Sequence, residues 1–190
     1  MDWLLRALTL LGAILLWGFH QLMALFLTIY LGMALYYWQD IRPNDQAALV
    51  SAQPYLSNDP EMLSLRTMAI KIHSHAYGFI TYTIRPSTPV KKQLYRHVSN
   101  AVWTFWLTGL YSDDELYAMM LSKAYFGQDI QGNAVYGARE AAQALFHIKL
   151  EDMTCEQRLQ LVYMLKGPSH FRPGSPRLIE GSRRFIALCE

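Results

Sequence analysis

The run WLLRALTLLGAILLWGFHQLMALFLTIYLGMALYYW, residues 3–38, decides the architecture. Arg6 is its only formal charge, and beyond it Leu, Ala, Ile, Met, Phe, Tyr and Trp predominate. Crossing the hydrocarbon takes about 20 apolar residues at ~1.5 Å each. The run exceeds one perpendicular crossing, so a single tilted or protruding helix is expected. Gly18, His20 and Gln21 interrupt it but supply no loop for a hairpin. A polar residue in such a run normally faces protein or water. His20 and Gln21 are therefore assigned to a helix-helix contact with a partner; otherwise they mark where the helix leaves the bilayer. A cleaved signal peptide would have an apolar region of about 7 to 15 residues and a small-residue cleavage site. This run is longer and closes on Tyr36, Tyr37 and Trp38, aromatics suited to the headgroup level. Asp2 and Arg6 on one side, Asp40 and Arg42 on the other, leave orientation undecided.

Working outward, the 190 residues leave room for one further domain. Residues 1–39 are read as anchor, 40–47 as a polar, helix-breaking juxtamembrane linker around Pro43, and 48–190 as a helical domain. The net charge of +2, without a clustered basic run, argues against nucleic acid. Cys155 and Cys189 could bridge in an oxidising compartment, but their spacing decides nothing. His73 and His75 lack a third ligand at useful spacing, so no metal and no cofactor is expected.

Within the domain, Asp45 to Gln53 predicts a short helix, and Glu61 to about His75 a second, with Met62, Leu65, Met68, Ala69 and Ile72 recurring at three and four. Tyr77 to Ile84 is β-branched and aromatic and predicts a strand, closed by Pro86 and Pro89. A long helix is expected from about Val90 to Thr108, with Leu94, Val98, Ala101, Val102, Phe105 and Trp106 on one side. Ser112-Asp113-Asp114-Glu115 is a capping box opening a helix that ends near Phe126-Gly127. A polar loop over Gln128 to Asn133 leads to a helix from about Gly137 to Phe146. Thr154 caps another over Cys155 to Leu165, and Arg177 to Leu188 forms the last.

Tyr111-Ser112-Asp113-Asp114-Glu115-Leu116 followed by Ala124-Tyr125-Phe126-Gly127 resembles the Y-S-K-D-E-I-L-E-x-Y-L-N-x-x-Y-F-G run of family 51 peptidoglycan glycosyltransferases, which polymerise lipid II. Ala134-Val135-Tyr136-Gly137 with Ala141-Ala142 and Phe146 is similar to that family's A-Y-G-I-E-A-A-A-x-x-Y-F-G-K. Thr154 to Leu165, then Gly167-Pro168-Ser169-His170-Phe171-Arg172-Pro173, is similar to its L-T-L-x-E-A-A-L-L-A-G-L and P-S-x-Y-x-P segments. The resemblance covers the C-terminal half well and the N-terminal half poorly. It implies an all-α, lysozyme-like glycosyltransferase domain on a single N-terminal transmembrane helix, placed in the bacterial inner membrane and facing the periplasm.

Glycan polymerisation needs a base for the acceptor hydroxyl, a task a carboxylate performs at neutral pH. The resemblance puts the family's base, the Glu of E-D-x-x-F-x-x-H, at Gln53, and the Glu of its R-K-x-x-E motif at Asn100, with Arg96 as the retained arginine. Both are amides, polar but without acid-base capacity. Gly78, Thr81 and Thr83 match the donor-site G-x-S-T-I-T-Q-Q, whose glutamines are lost. Asp113, Ala118 and Ser122 replace the family's Lys, Glu and Asn, and His147-Ile148 its Gly-Lys. Thr81, Thr83, Arg85, Arg96 and Lys123 are the candidate ligand contacts, since guanidinium suits phosphate oxygens. The expectation is a catalytically silent relative serving as a subunit, scaffold or lipid-intermediate binder beside a protein partner in the envelope. The alternative is a divergent active glycosyltransferase with Glu61, Asp59 or Glu140 as relocated base.

Overall fold

The computed structural model describes residues 2–84 and 93–189. The chain divides into two compact units, Met1–Asp40 and Ile41–Glu190. In the first, α1 (Asp2–Tyr36) is an uninterrupted helix of 35 residues, about 52 Å at 1.5 Å per residue. Residues 9–32 are all exposed, including Leu16, Trp17, Phe19 and Phe26, as lipid-facing side chains should be. This helix is long and apolar enough to cross a membrane.

Asp40 to Asp45, expected to break the helix, is helical instead. One π-helical turn covers Tyr37–Ile41, and α2 (Arg42–Ala52) follows with Pro43 in its first turn, where a missing backbone N–H costs nothing. After a 3-10 turn at Gln53–Tyr55 come α3 (Pro60–Ile72), α4 (Tyr77–Ile84), α5 (Gln93–Leu110) and α6 (Asp113–Lys123). Then follow the strands β1 (Tyr125–Gln128) and β2 (Ala134–Tyr136), and the helices α7 (Ala138–Phe146), α8 (Cys155–Met164) and α9 (Pro176–Arg183). Among the described residues the domain is thus helical apart from one hairpin.

The core is organised around α6. Leu116 to Leu121 are buried in unbroken succession, so the middle of this helix has no solvent face, and it packs on α2, α3, α4, α5 and α7. Its start is held by the expected box: Ser112 Oγ accepts the Glu115 amide, and Glu115 Oε2 accepts the Ser112 amide at 2.8 Å. Thr154 and Gln157 form the same arrangement at α8. On α3 the predicted stripe of Met62, Leu65, Met68, Ala69 and Ile72 is the buried one, facing α6 and α8.

Three local expectations are corrected. Tyr77 to Ile84 is a helix, not a strand: the Ala76 carbonyl accepts the Phe79 and Ile80 amides to start it, and Ile80, Thr81 and Ile84 bury against α5 and α6. Tertiary packing overrides β-propensity here, because β-branched residues four apart serve a helical stripe equally well. The proposed closing prolines, Pro86 and Pro89, and the start at Val90 lie outside the described residues. On α5 the buried side is Ser99, Trp103 and Leu107, while Val98 and Phe105 point outward; with both sides apolar, periodicity could not choose between them.

The third correction is the hairpin. α6 ends at Lys123, and Tyr125-Phe126-Gly127 is strand, Tyr125 facing Tyr136 and Gly127 facing Val135. The turn is built by Asp129, whose Oδ1 accepts the Gln131 and Asn133 amides at 2.8 Å each. The Asn133 side chain and these amides hold the Asp129 carboxyl below its ordinary value. Gly127 has φ +125, and a Cβ there would meet the Pro168 carbonyl at 3.4 Å. Cys155 and Cys189 are disulfide-bonded, tying the C-terminal 3-10 turn to the start of α8.

Candidate functional site

The polar seam between α4 and α5 is the candidate site. Thr81 is buried, and its hydroxyl lies 3.0 Å from that of Thr104. Asn100, half-buried, stands four residues before Thr104 and so on the same side of α5. Thr81, Thr104 and Asn100 therefore form one hydroxyl and amide strip, a set that can donate and accept hydrogen bonds but has no group that takes up a proton at neutral pH.

The other nominated residues are placed differently. Thr83 donates back to the Phe79 carbonyl at 2.9 Å. Lys123 is exposed in the last turn of α6. Gln53 is exposed at the start of the 3-10 turn, its carbonyl accepting the Leu56 amide. Arg85 lies outside the described residues; Arg96 lies on α5, but its side chain is outside the description. On α1, His20 and Gln21 are exposed, and His20 Nδ1 donates to the Leu16 carbonyl at 2.7 Å, which satisfies one ring nitrogen within the helix.

Several carboxylates of the domain are held by structural partners. Asp113 Oδ1 accepts the Tyr77 hydroxyl at 3.0 Å, a bond that raises the Tyr77 pKa. Asp114 accepts Arg66 at 3.3 Å, and Glu115 is the cap. Asp59 Oδ2 accepts the Ser57 hydroxyl at 2.8 Å. Asp45 is wholly buried in α2. Glu140 and Glu151 line a cavity of about 390 Å³ with Arg139, Gln143, Lys149 and Leu150, where Arg139 and Glu151 pair at 2.6 Å. Of the three relocated bases considered, Glu140 is the one in this cavity. Among the described residues no cluster of His, Cys, Asp and Glu is arranged to hold a metal.

Two buried networks were not read from the sequence. Arg66 donates to the Tyr55 and Ser57 carbonyls and to Asp114. The Tyr55 hydroxyl in turn accepts the Arg139 amide at 3.0 Å, and burial pushes its pKa up to about 12. In the second network His73 Nε2 donates to the Val162 carbonyl at 3.0 Å, while Tyr117 donates to the carbonyl of His73. Burial lowers the His73 pKa. Apart from the Arg66 bonds to Tyr55 and Ser57, the partners lie 44 to 89 residues apart, beyond the reach of any local signal.

The sequence pattern of the transglycosylase family matches residues 80–187, from within α4 to the C-terminal 3-10 turn. The chain belongs to the transglycosylase family. The transglycosylase match takes in Thr81, Asn100 and Lys123 and leaves Gln53 outside. The uncharacterized protein YfeL of Salmonella typhimurium is 47% identical over 178 residues, covering 93% of this chain and 96% of that protein. Penicillin-binding protein 2a of Streptococcus pneumoniae is 33% identical over 67 residues. That stretch is 35% of this chain and 8% of the penicillin-binding protein.

Proposed function

We propose that this chain is a catalytically silent transglycosylase-family protein, anchored in the bacterial inner membrane with its domain in the periplasm, where it serves as a subunit, scaffold or lipid-intermediate binder. Asn100 carries the reading. The family resemblance puts it at the place of a family glutamate, and it lies on the face of α5 that also bears Thr104, which meets Thr81 of α4. An amide there can hydrogen-bond a glycan or a phosphate oxygen but cannot accept the proton of an attacking hydroxyl. Thr81, Thr83, Arg85, Arg96 and Lys123 are the residues proposed to contact a lipid-linked glycan such as lipid II, beside the degenerate positions Gln53 and Asn100, with His20 and Gln21 contacting a protein partner in the membrane. A disulfide between Cys155 and Cys189 supports the periplasmic placement, since bridges persist in oxidising compartments.

The test is lipid II polymerisation by the full-length chain in detergent or proteoliposomes. No glycan strands are expected, and lipid II retention on the immobilised chain should weaken on Asn100→Ala. A divergent active enzyme is the second reading, favoured by Glu140 in its cavity beside Arg139 and Lys149. Strand synthesis abolished by Glu140→Gln would establish it and sink the silent reading.

A further inference from the structure

The C-terminal face carries a charge that the composition hides. Between Lys166 and Arg184 stand Lys166, Arg172, Arg177, Arg183 and Arg184 against the single acid Glu180, while the whole chain is only +2. The remainder of the chain is therefore net negative, and positive charge is concentrated here. All five cations are exposed.

Tyr163 gathers these segments. Its ring lies 5.0 Å from that of Phe171 and 6.1 Å from that of Phe185, and the Lys166 ammonium sits 5.0 Å from both the Tyr163 and Phe185 centroids. Arg172 follows Phe171 and Arg184 precedes Phe185 in the chain, so both exposed cations start from backbone next to this aromatic floor. The disulfide holds the tail that continues it, where Ile186 and Ala187 are exposed beside Arg183 and Arg184. A face built only for solvation has no reason to interleave Phe171, Phe185 and Ile186 with cations. That combination, cationic forks around apolar side chains, suits an interface of phosphate headgroups over hydrocarbon.

We infer that this face docks on an anionic phospholipid surface. The arginines meet headgroup phosphates bidentately, and Ile186 and Phe171 enter between headgroups. The apolar anchor keeps a bilayer at high effective concentration, so a contact weak in isolation is populated on the tethered chain. This inference is independent of whether the α4–α5 seam binds a glycan.

Hydrogen exchange of amides 171–188, followed on the full chain in nanodiscs, tests it. Relative to phosphatidylcholine discs, discs with about 30% phosphatidylglycerol should slow exchange at least about threefold, an effect erased near 0.5 M NaCl. The triple change Arg172→Gln, Arg183→Gln, Arg184→Gln should remove the slowing, whereas the triple lysine counterpart keeps most of it. Ile186→Asp, a single change at an exposed position, should weaken it without lowering the melting temperature. Equal exchange in both lipids overturns the inference. So does protection in neutral discs by a soluble anionic polysaccharide that anionic lipid does not reproduce, which would assign the face to a wall polymer.

Discussion

Gly181 of α9 lies against the ring of Tyr163 in α8: a Cβ placed on it would fall 2.5 Å from the Cε1 carbon and 2.7 Å from the phenolic oxygen. Tyr163 is itself flanked by Phe171 and Phe185 and cannot swing aside without displacing them. The close approach of α8 and α9 therefore depends on the missing side chain. Gly181→Ala is expected to cost about 1–3 kcal/mol through overpacking. A thermal melt of the purified chain checks it, and an unchanged midpoint would mean that the aromatic cluster yields more easily than argued.

The Cys155–Cys189 bridge closes a loop with a sequence separation of 34 residues. Constraining an unfolded loop of that length contributes about 3–4 kcal/mol in the chain-entropy account. Reduction, or the double change Cys155→Ser, Cys189→Ser, should lower the melting temperature by roughly 10 °C. Calorimetry with and without reductant reads this directly; insensitivity to reductant would show that α9 packing alone holds the tail.

What the sequence revealed depended on range. The capping boxes at Ser112 and Thr154 were legible because donor and acceptor lie three residues apart. The α3 stripe was legible because one side of that helix is clearly more apolar than the other. α4 was misread because Ile80, Thr81 and Ile84 satisfy a strand pattern locally, and only the neighbours α5 and α6 decide otherwise. Asp113 and Asp114 looked like first-turn acids, which they are, but their partners Tyr77 and Arg66 lie 36 and 48 residues upstream. The same limit applies at the seam: motif spacing pointed to Thr81 and Asn100, while Thr104, which joins their faces, carries no motif signal.

Arg66 gives a third prediction. Its side chain is 5% exposed, while its Asp114 partner is 57% exposed. Most of what fixes the guanidinium is the pair of carbonyls from Tyr55 and Ser57, not the ion pair. Asp114→Asn should therefore cost under about 1 kcal/mol. Arg66→Ala leaves those carbonyls without their donor and opens a cavity, and should cost about 3 kcal/mol or more. Urea unfolding of the two variants separates these outcomes; equal losses would show that the charge pair dominates.

The last prediction concerns pH. His73 is buried, donates through Nε2 to the Val162 carbonyl, and has a pKa lowered from its ordinary 6.5, first by burial and further by the Lys166 charge, although the Val162 bond opposes the shift. The folded state thus binds fewer protons than the unfolded state once pH falls toward 6.5. The stability linked to this histidine is complete above the unfolded value and declines as pH falls through 6.5 toward the lower folded value. Around it stand the ring of Phe79, the carbonyl-bound hydroxyl of Tyr117 and the Lys166 ammonium, none of which neutralises an imidazolium. His73→Gln retains a donor for Val162 but does not titrate. Denaturation midpoints of the parent chain should fall between about pH 7 and 5, whereas those of the variant should fall less. Parallel profiles would place the acid sensitivity on other groups, with the Asp129 carboxyl, whose lowered pKa acts at still lower pH, the next to examine.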